Sequence, residues 1–139
     1  MEKADFRSYR MLVREVQQLR EQLLVLEASI YSPKGQRFTS TPKATASSNA
    51  TMDAAVDRHL RLDRLYREKL ASKEAEQLAI EQAIQSLENP AERVVMRELY
   101  LNGKSWPAVI REMQKLGYSE RTAYRLHGLA LLRLKEVKV

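Results

Sequence analysis

The 139-residue chain has no cysteine, four glycines, four prolines and two phenylalanines, and each scarcity removes a class of protein. Without cysteine there is no disulfide framework, no thiol nucleophile and no zinc site with sulfur ligands. The two histidines, His59 and His127, stand far apart and leave little for any metal. Gly35, Gly103, Gly117 and Gly128 are too scattered for a phosphate-cradling loop of the Walker or dinucleotide type, so no nucleotide cofactor is expected. Nowhere do some 18 apolar residues follow one another, and the charged opening Met1 to Arg7 has no apolar run behind it. Neither secretion nor membrane spanning is expected, and a reducing cytoplasm suits the composition.

What is present is charge, and its placement is uneven. The 24 basic and 18 acidic residues give a net charge of +6. Residues 1–30 balance at five of each, and residues 52–89 lean acidic with six basic against eight acidic. Residues 31–51 carry Lys34, Arg37 and Lys43 with no acid, and residues 90–139 carry ten basic against five acidic. The positive charge is thus concentrated in a central segment and the C-terminal third, a polarity that favours a polyanion partner.

Apolar residues at Tyr9, Leu12, Val16, Leu19, Leu23, Leu26 and Ile30 alternate spacings of three and four, a coiled-coil seam. The intervening Arg, Glu and Gln residues solvate the rest of that helix, so its single stripe must meet another helix. Ser32-Pro33-Lys34-Gly35 ends it, and a flexible basic linker over 31–51 follows, either a hairpin loop or an arm laid along a partner. A second helix is expected from about Met52 to Leu87, on a broader face of Met52, Ala55, His59, Leu62, Leu65, Tyr66, Leu70, Ile80, Ala83, Ile84 and Leu87, interrupted by Lys73 and Gln77. A long antiparallel pair of this kind leaves apolar surface exposed, which a homodimer would cover; Leu12, Val16, Leu19, Leu23, Leu26 and Ile30 are the candidate oligomerisation residues.

Asn89-Pro90 is a helix start, with Asn as cap, Pro in the first position and Glu92 near the positive end of the dipole. That helix should stop at Asn102-Gly103. Ser105 should cap a short helix with Trp106, Val109, Ile110, Met113 and Leu116 on one face, closed by Gly117. Ser119 should cap a third, running from Glu120 to about Val137. The fold class is therefore all-α: a coiled-coil-like helical pair over 1–88, then a three-helix domain over 89–139 whose last two helices have the helix-turn-helix outline.

On the last helix, Ala123, Leu126, Ala130 and Leu134 form the core-facing stripe. The opposite side carries Arg121, Tyr124, Arg125 and Gly128, with Lys135 further along. Two arginines one turn apart, an aromatic hydroxyl and a glycine make a surface able to enter a major groove. The forked donors of arginine match the O6 and N7 acceptors of guanine, which makes Arg121 and Arg125 the base-reading candidates. Ser119 and Thr122 stand where a helix N-terminus holds a phosphate, and Lys104, Arg111 and Lys115 are candidates for flanking backbone contacts. His127 borders the core stripe and reads as a packing residue, as does Trp106.

The stretch Glu92 to Leu134 resembles the sigma-factor region-four-like helix-turn-helix of small phage and prophage proteins, related to the ArpU and RinA late-gene regulators. The similarity is closest in Leu99-Tyr100, in Lys104-Ser105-Trp106 and in Gly117 through Gly128, where Tyr124-Arg125-Leu126-His127 matches a segment of the family directly. The resemblance implies a sequence-specific double-stranded DNA-binding transcriptional regulator of phage or mobile-element genes, in the cytoplasm of a bacterial host. Two alternatives share the outline: a sigma-like adaptor that binds RNA polymerase, and a small terminase-like recognition subunit for DNA packaging. Catalysis is not expected, because the carboxylates are spread over helical surfaces beside Arg and Lys and no Ser-His-Asp or His-acid cluster emerges.

Overall fold

The computed structural model describes residues 1–31 and 42–136, with side chains described for 1–30 and 51–136. All regular structure among them is helical: α1 Lys3–Tyr31, α2 Pro42–Gln85, α3 Pro90–Met96, α4 Trp106–Lys115 and α5 Glu120–Glu136. A wider π-type turn, Arg97–Leu101, prolongs α3, and the Asn102 amide donates to the Arg97 carbonyl across it at 2.8 Å.

Helix α2 begins at Pro42, ten residues before the expected Met52, so residues 42–51 of the expected linker are helical. Proline suits the first helical position, and Ala44, Ala46 and Ala50 have high helix propensity that the surrounding Ser and Thr do not cancel. Residues 32–41, with Lys34 and Arg37, and residues 137–139 lie outside the described residues, as does the side chain of Lys43.

The chain divides into two compact units. In the unit Val13–Ser72, Val16, Leu19 and Leu23 of the seam are buried and Leu26 and Ile30 are half-buried, all within one chain. Lys69 Nζ lies 3.0 Å from Glu15 Oε1 and His59 Nε2 lies 3.0 Å from Glu27 Oε1. Residue numbers rise along α1 as they fall along α2, so the segments run antiparallel here, and the seam holds them together. Leu65 and Met52, placed on the inner face of α2 by their spacing, are instead exposed, as are Leu24, Val25, Val56 and Leu60.

The second unit joins Met1–Leu12 to Lys73–Val139. It extends beyond the 89–139 segment that the sequence marks as a domain, because about fifty residues of short helices build only a thin core on their own. Phe6 (0% exposed) and Tyr9 (2%) from α1, and Ile80 and Ile84 from α2, are buried in the same unit as Val95, Met96, Leu99, Val109, Met113 and Leu134. The Phe6 and Tyr100 ring centroids are 4.8 Å apart. Gln77 breaks the apolar face of α2 for a reason: its Oε1 accepts from the Tyr9 hydroxyl at 3.4 Å, and burial together with Glu81 and Glu76 pushes that phenol's pKa up. Leu12, also a seam position, is half-buried in this unit.

Asn89 caps α3 as its residue type suggests, its side chain accepting from the Ala91 amide at 2.9 Å. Glu92 does more than complement a helix dipole. It is fully buried, and its Oε2 accepts from Arg133 Nη1 at 2.8 Å, which ties α3 to α5.

Candidate functional site

Helix α4 ends at Lys115 and the chain turns at Gly117, whose φ of +93° lies in the left-handed region that favours glycine. The Gly117 amide donates to the Gln114 carbonyl at 3.0 Å and the Tyr118 amide to the Met113 carbonyl at 2.9 Å, a complete Schellman pair that turns the chain within three residues. Helix α5 then starts at Ser119, whose Oγ accepts from the Thr122 amide at 3.2 Å and lies 2.8 Å from the Thr122 hydroxyl. Both hydroxyls expected to meet phosphate are thus engaged in the cap, though Ser119 stays exposed. The expected core stripe Ala123, Leu126, Ala130 and Leu134 is buried, and Arg121, Tyr124, Arg125 and Gly128 are exposed on the other side.

Tyr124 is not a loose side chain. It is 46% exposed, and its ring centroid lies 4.6 Å from that of Trp106 at the start of α4. The Trp106 ring meets His127 edge-on at 5.0 Å, and the Tyr100 hydroxyl and His127 Nε2 share a hydrogen bond at 2.7 Å. Four rings therefore fix the spacing of α4, α5 and the Arg97–Leu101 turn, with Tyr100 buried, Trp106 and His127 half-buried and Tyr124 exposed. Burial, reinforced by the nearby Lys3 ammonium, holds the His127 pKa down to about 4, so the imidazole is neutral near pH 7. Trp106 and His127 are packing residues.

The basic candidates divide sharply. Lys104 is bound to Glu98, whose carboxylate raises its pKa, and Lys115 Nζ lies 3.2 Å from Glu112 Oε1. Arg121, Arg125 and Arg111 are exposed, and none has an ion-pair partner among the described residues. Beyond Gly128 the exposed face of α5 borders a groove of about 320 Å³, with Gly128, Leu131, Leu132 and Lys135 on one bank and Glu2 with Lys3 and Ala4 of α1 on the other. Arg121, Tyr124 and Arg125 lie in the first two turns of α5, before that groove.

Two features escaped the sequence reading. Phe6 stands three residues before Tyr9 and so shares its side of the helix, a signal available in the residues themselves, although the seam's alternation would fall on Asp5. The ring contacts around His127 join residues distant in sequence and had no local signal. Among the described residues no helix is long and apolar enough to cross a membrane, and no group of three or more His, Asp or Glu side chains could hold a metal ion. Comparison with protein-family models, with curated proteins and with solved structures finds no match.

Proposed function

We propose that the protein is a sequence-specific double-stranded DNA-binding regulator of transcription, acting on phage or mobile-element genes, with α4 and α5 as its helix-turn-helix. The observation that carries this reading is the exposed first half of α5: Arg121 and Arg125, one turn apart and without carboxylate partners, flank a tyrosine braced by Trp106, opposite a fully buried stripe. A rigid helix with unpaired arginines suits the major groove, where each bidentate arginine–guanine contact contributes roughly 1–3 kcal/mol of discrimination. Arg111 supplies a backbone contact beside it, whereas Lys104 and Lys115 must first leave Glu98 and Glu112. The protein acts as a homodimer through the exposed Leu24, Val56 and Leu60 rather than through the seam, since paired half-sites are the usual way such a short recognition helix gains affinity.

Selection of bound duplexes from a random-sequence pool by the full chain tests the reading. The expected result is enrichment of a G-containing motif, with twofold symmetry if the dimer binds. Recovery of no motif would refute sequence-specific binding, and a motif recovered only when RNA polymerase is added would favour the adaptor.

A further inference from the structure

The second unit carries another set of cations that the α5 face does not include. Lys3, Arg7 and Arg10 follow one another at i, i+4 and i+7 on α1, within about 60° of arc at ~100° per residue. All three are exposed, and none has a carboxylate within ion-pair distance among the described residues. The nearby acids do not pair with them: Glu2 precedes the helix and lines the groove beside Lys3 without an ion pair, and Asp5 accepts from the Glu2 amide at 2.7 Å. Five other cations of this unit behave otherwise: Lys104, Lys115 and Arg133 are held by glutamates, and Arg93 and Arg97 by the Leu87 carbonyl and the Gln85 side chain.

This row is anchored to the α5 face at both ends. Lys3 stands across the 320 Å³ groove from Gly128 and Lys135, and the Arg10 guanidinium lies 6.0 Å from the centre of the Tyr100 ring, which is hydrogen-bonded to His127. Both lysines of the groove lack a carboxylate partner, while Glu2 is its one acid. We infer that Lys3, Arg7 and Arg10 form a backbone-binding rail for the same duplex, gripping phosphates beside the segment that α5 reads. The inference rests on the DNA-binding reading of α5. Charge complementarity selects the partner: helically spaced cations without competing carboxylates match the repeat of a phosphate strand, and such contacts position a protein without reading sequence. Phe6, buried one residue before Arg7, fixes the rail rigidly to the reading helix.

The test is the salt dependence of full-chain binding to the selected duplex and to a scrambled duplex of about three helical turns, read by fluorescence anisotropy. Replacing Lys3, Arg7 and Arg10 together by Gln should weaken binding to both sequences alike and lower the slope of log K against log[salt] by about 2 to 3, at ~0.9 per phosphate contact. Arg7→Lys with Arg10→Lys should retain the slope. If the triple variant does not fold, the single Gln variants carry the test, each expected to lower the slope by ~0.9. Unchanged slopes in folded variants, with wild-type binding intact, would overturn the rail and leave the α5 reading standing. Failure of the wild-type chain to bind either duplex would overturn both.

Discussion

Replacing Phe6 by Ala asks whether the α1 turns around it are structural members of the unit that carries α4 and α5. The Phe6 side chain is 0% exposed and its ring lies 4.8 Å from Tyr100. Removing the ring forfeits about 2 kcal/mol of transfer free energy for a fully buried side chain. It also leaves a void on the order of 100 Å³, worth up to ~2.4 kcal/mol at about 24 cal/mol per Å³ if nothing relaxes. Loss of the aromatic pair with Tyr100 adds ~0.5–1 kcal/mol. Since Phe6 sits one turn from the start of a helix, part of the void should close, so the expected loss is about 3 kcal/mol. Against a typical domain stability of ~5–15 kcal/mol this is large. The assay is urea unfolding followed through Trp106, the single tryptophan, which lies in this unit against Tyr124 and His127. A loss below about 0.5 kcal/mol, the range of an ordinary surface substitution, would refute the placement of Phe6 in this core. A segment limited to 89–139 should, on the same reasoning, show no cooperative Trp106 transition.

Arg125→Ala should leave stability within about 0.5 kcal/mol, because the side chain is exposed and unpaired, yet cost ~1–3 kcal/mol on the selected duplex and much less on a scrambled one; equal losses on both would demote Arg125 to a phosphate contact. His127 has a folded pKa of about 4 against 6.5 ordinarily, so the unfolded chain binds the proton more tightly and stability falls as pH drops from 6.5 towards 4. With its partial exposure discounted, the loss between pH 7 and pH 5 should be ~1 kcal/mol, and His127→Gln should remove that increment in urea titrations at the two pH values; an equally pH-sensitive variant would assign the effect elsewhere. Arg133→Met strands the buried Glu92 carboxylate and should cost about 2–3 kcal/mol, less than for a fully buried pair because Arg133 is half exposed, while Glu92→Gln in the same chain should recover part of it; no loss in a thermal melt would show that the pair is dispensable. In sedimentation, Leu60→Glu should dissociate the proposed dimer without loss of helix, whereas Leu19→Asp should unfold the helical pair; a wild-type monomer at micromolar concentration would contradict that proposal.

The readable parts of the fold are those governed by local chemistry. Asn89, Gly103 and Gly117 mark helix ends because a side-chain cap and a positive φ are properties of a few adjacent residues, and the structure has Asn89 bonded to Ala91 and both glycines at positive φ. The stripe Ala123, Leu126, Ala130 and Leu134 is readable because its period is that of the helix itself. The start of α2 was not, since Ser and Thr weaken helix propensity without abolishing it and packing decides the rest. Nor was the state of the lysines: Lys104 and Lys115 have the same formal charge as Arg111, but pairing with Glu98 or Glu112 depends on side-chain placement. The extent of the second unit was hidden for the deeper reason that Phe6 and Tyr100 are adjacent only in space.

That adjacency has a consequence for the order in which the molecule is made. On the ribosome Phe6 emerges long before Tyr100, and at ~5–20 residues/s the stretch between them takes roughly 5–20 s to synthesise. Throughout that interval the aromatic and aliphatic side chains of the first α1 turns have no native cover from the residues that later bury them, and the nascent chain presents a sticky amphipathic segment to chaperones and to neighbouring copies. Closure is a long-range event in sequence, so this unit should be the slower of the two to complete. It is also the one in which a copy could insert its own early helix turns into another's core, making exchanged dimers the characteristic misassembly at high expression.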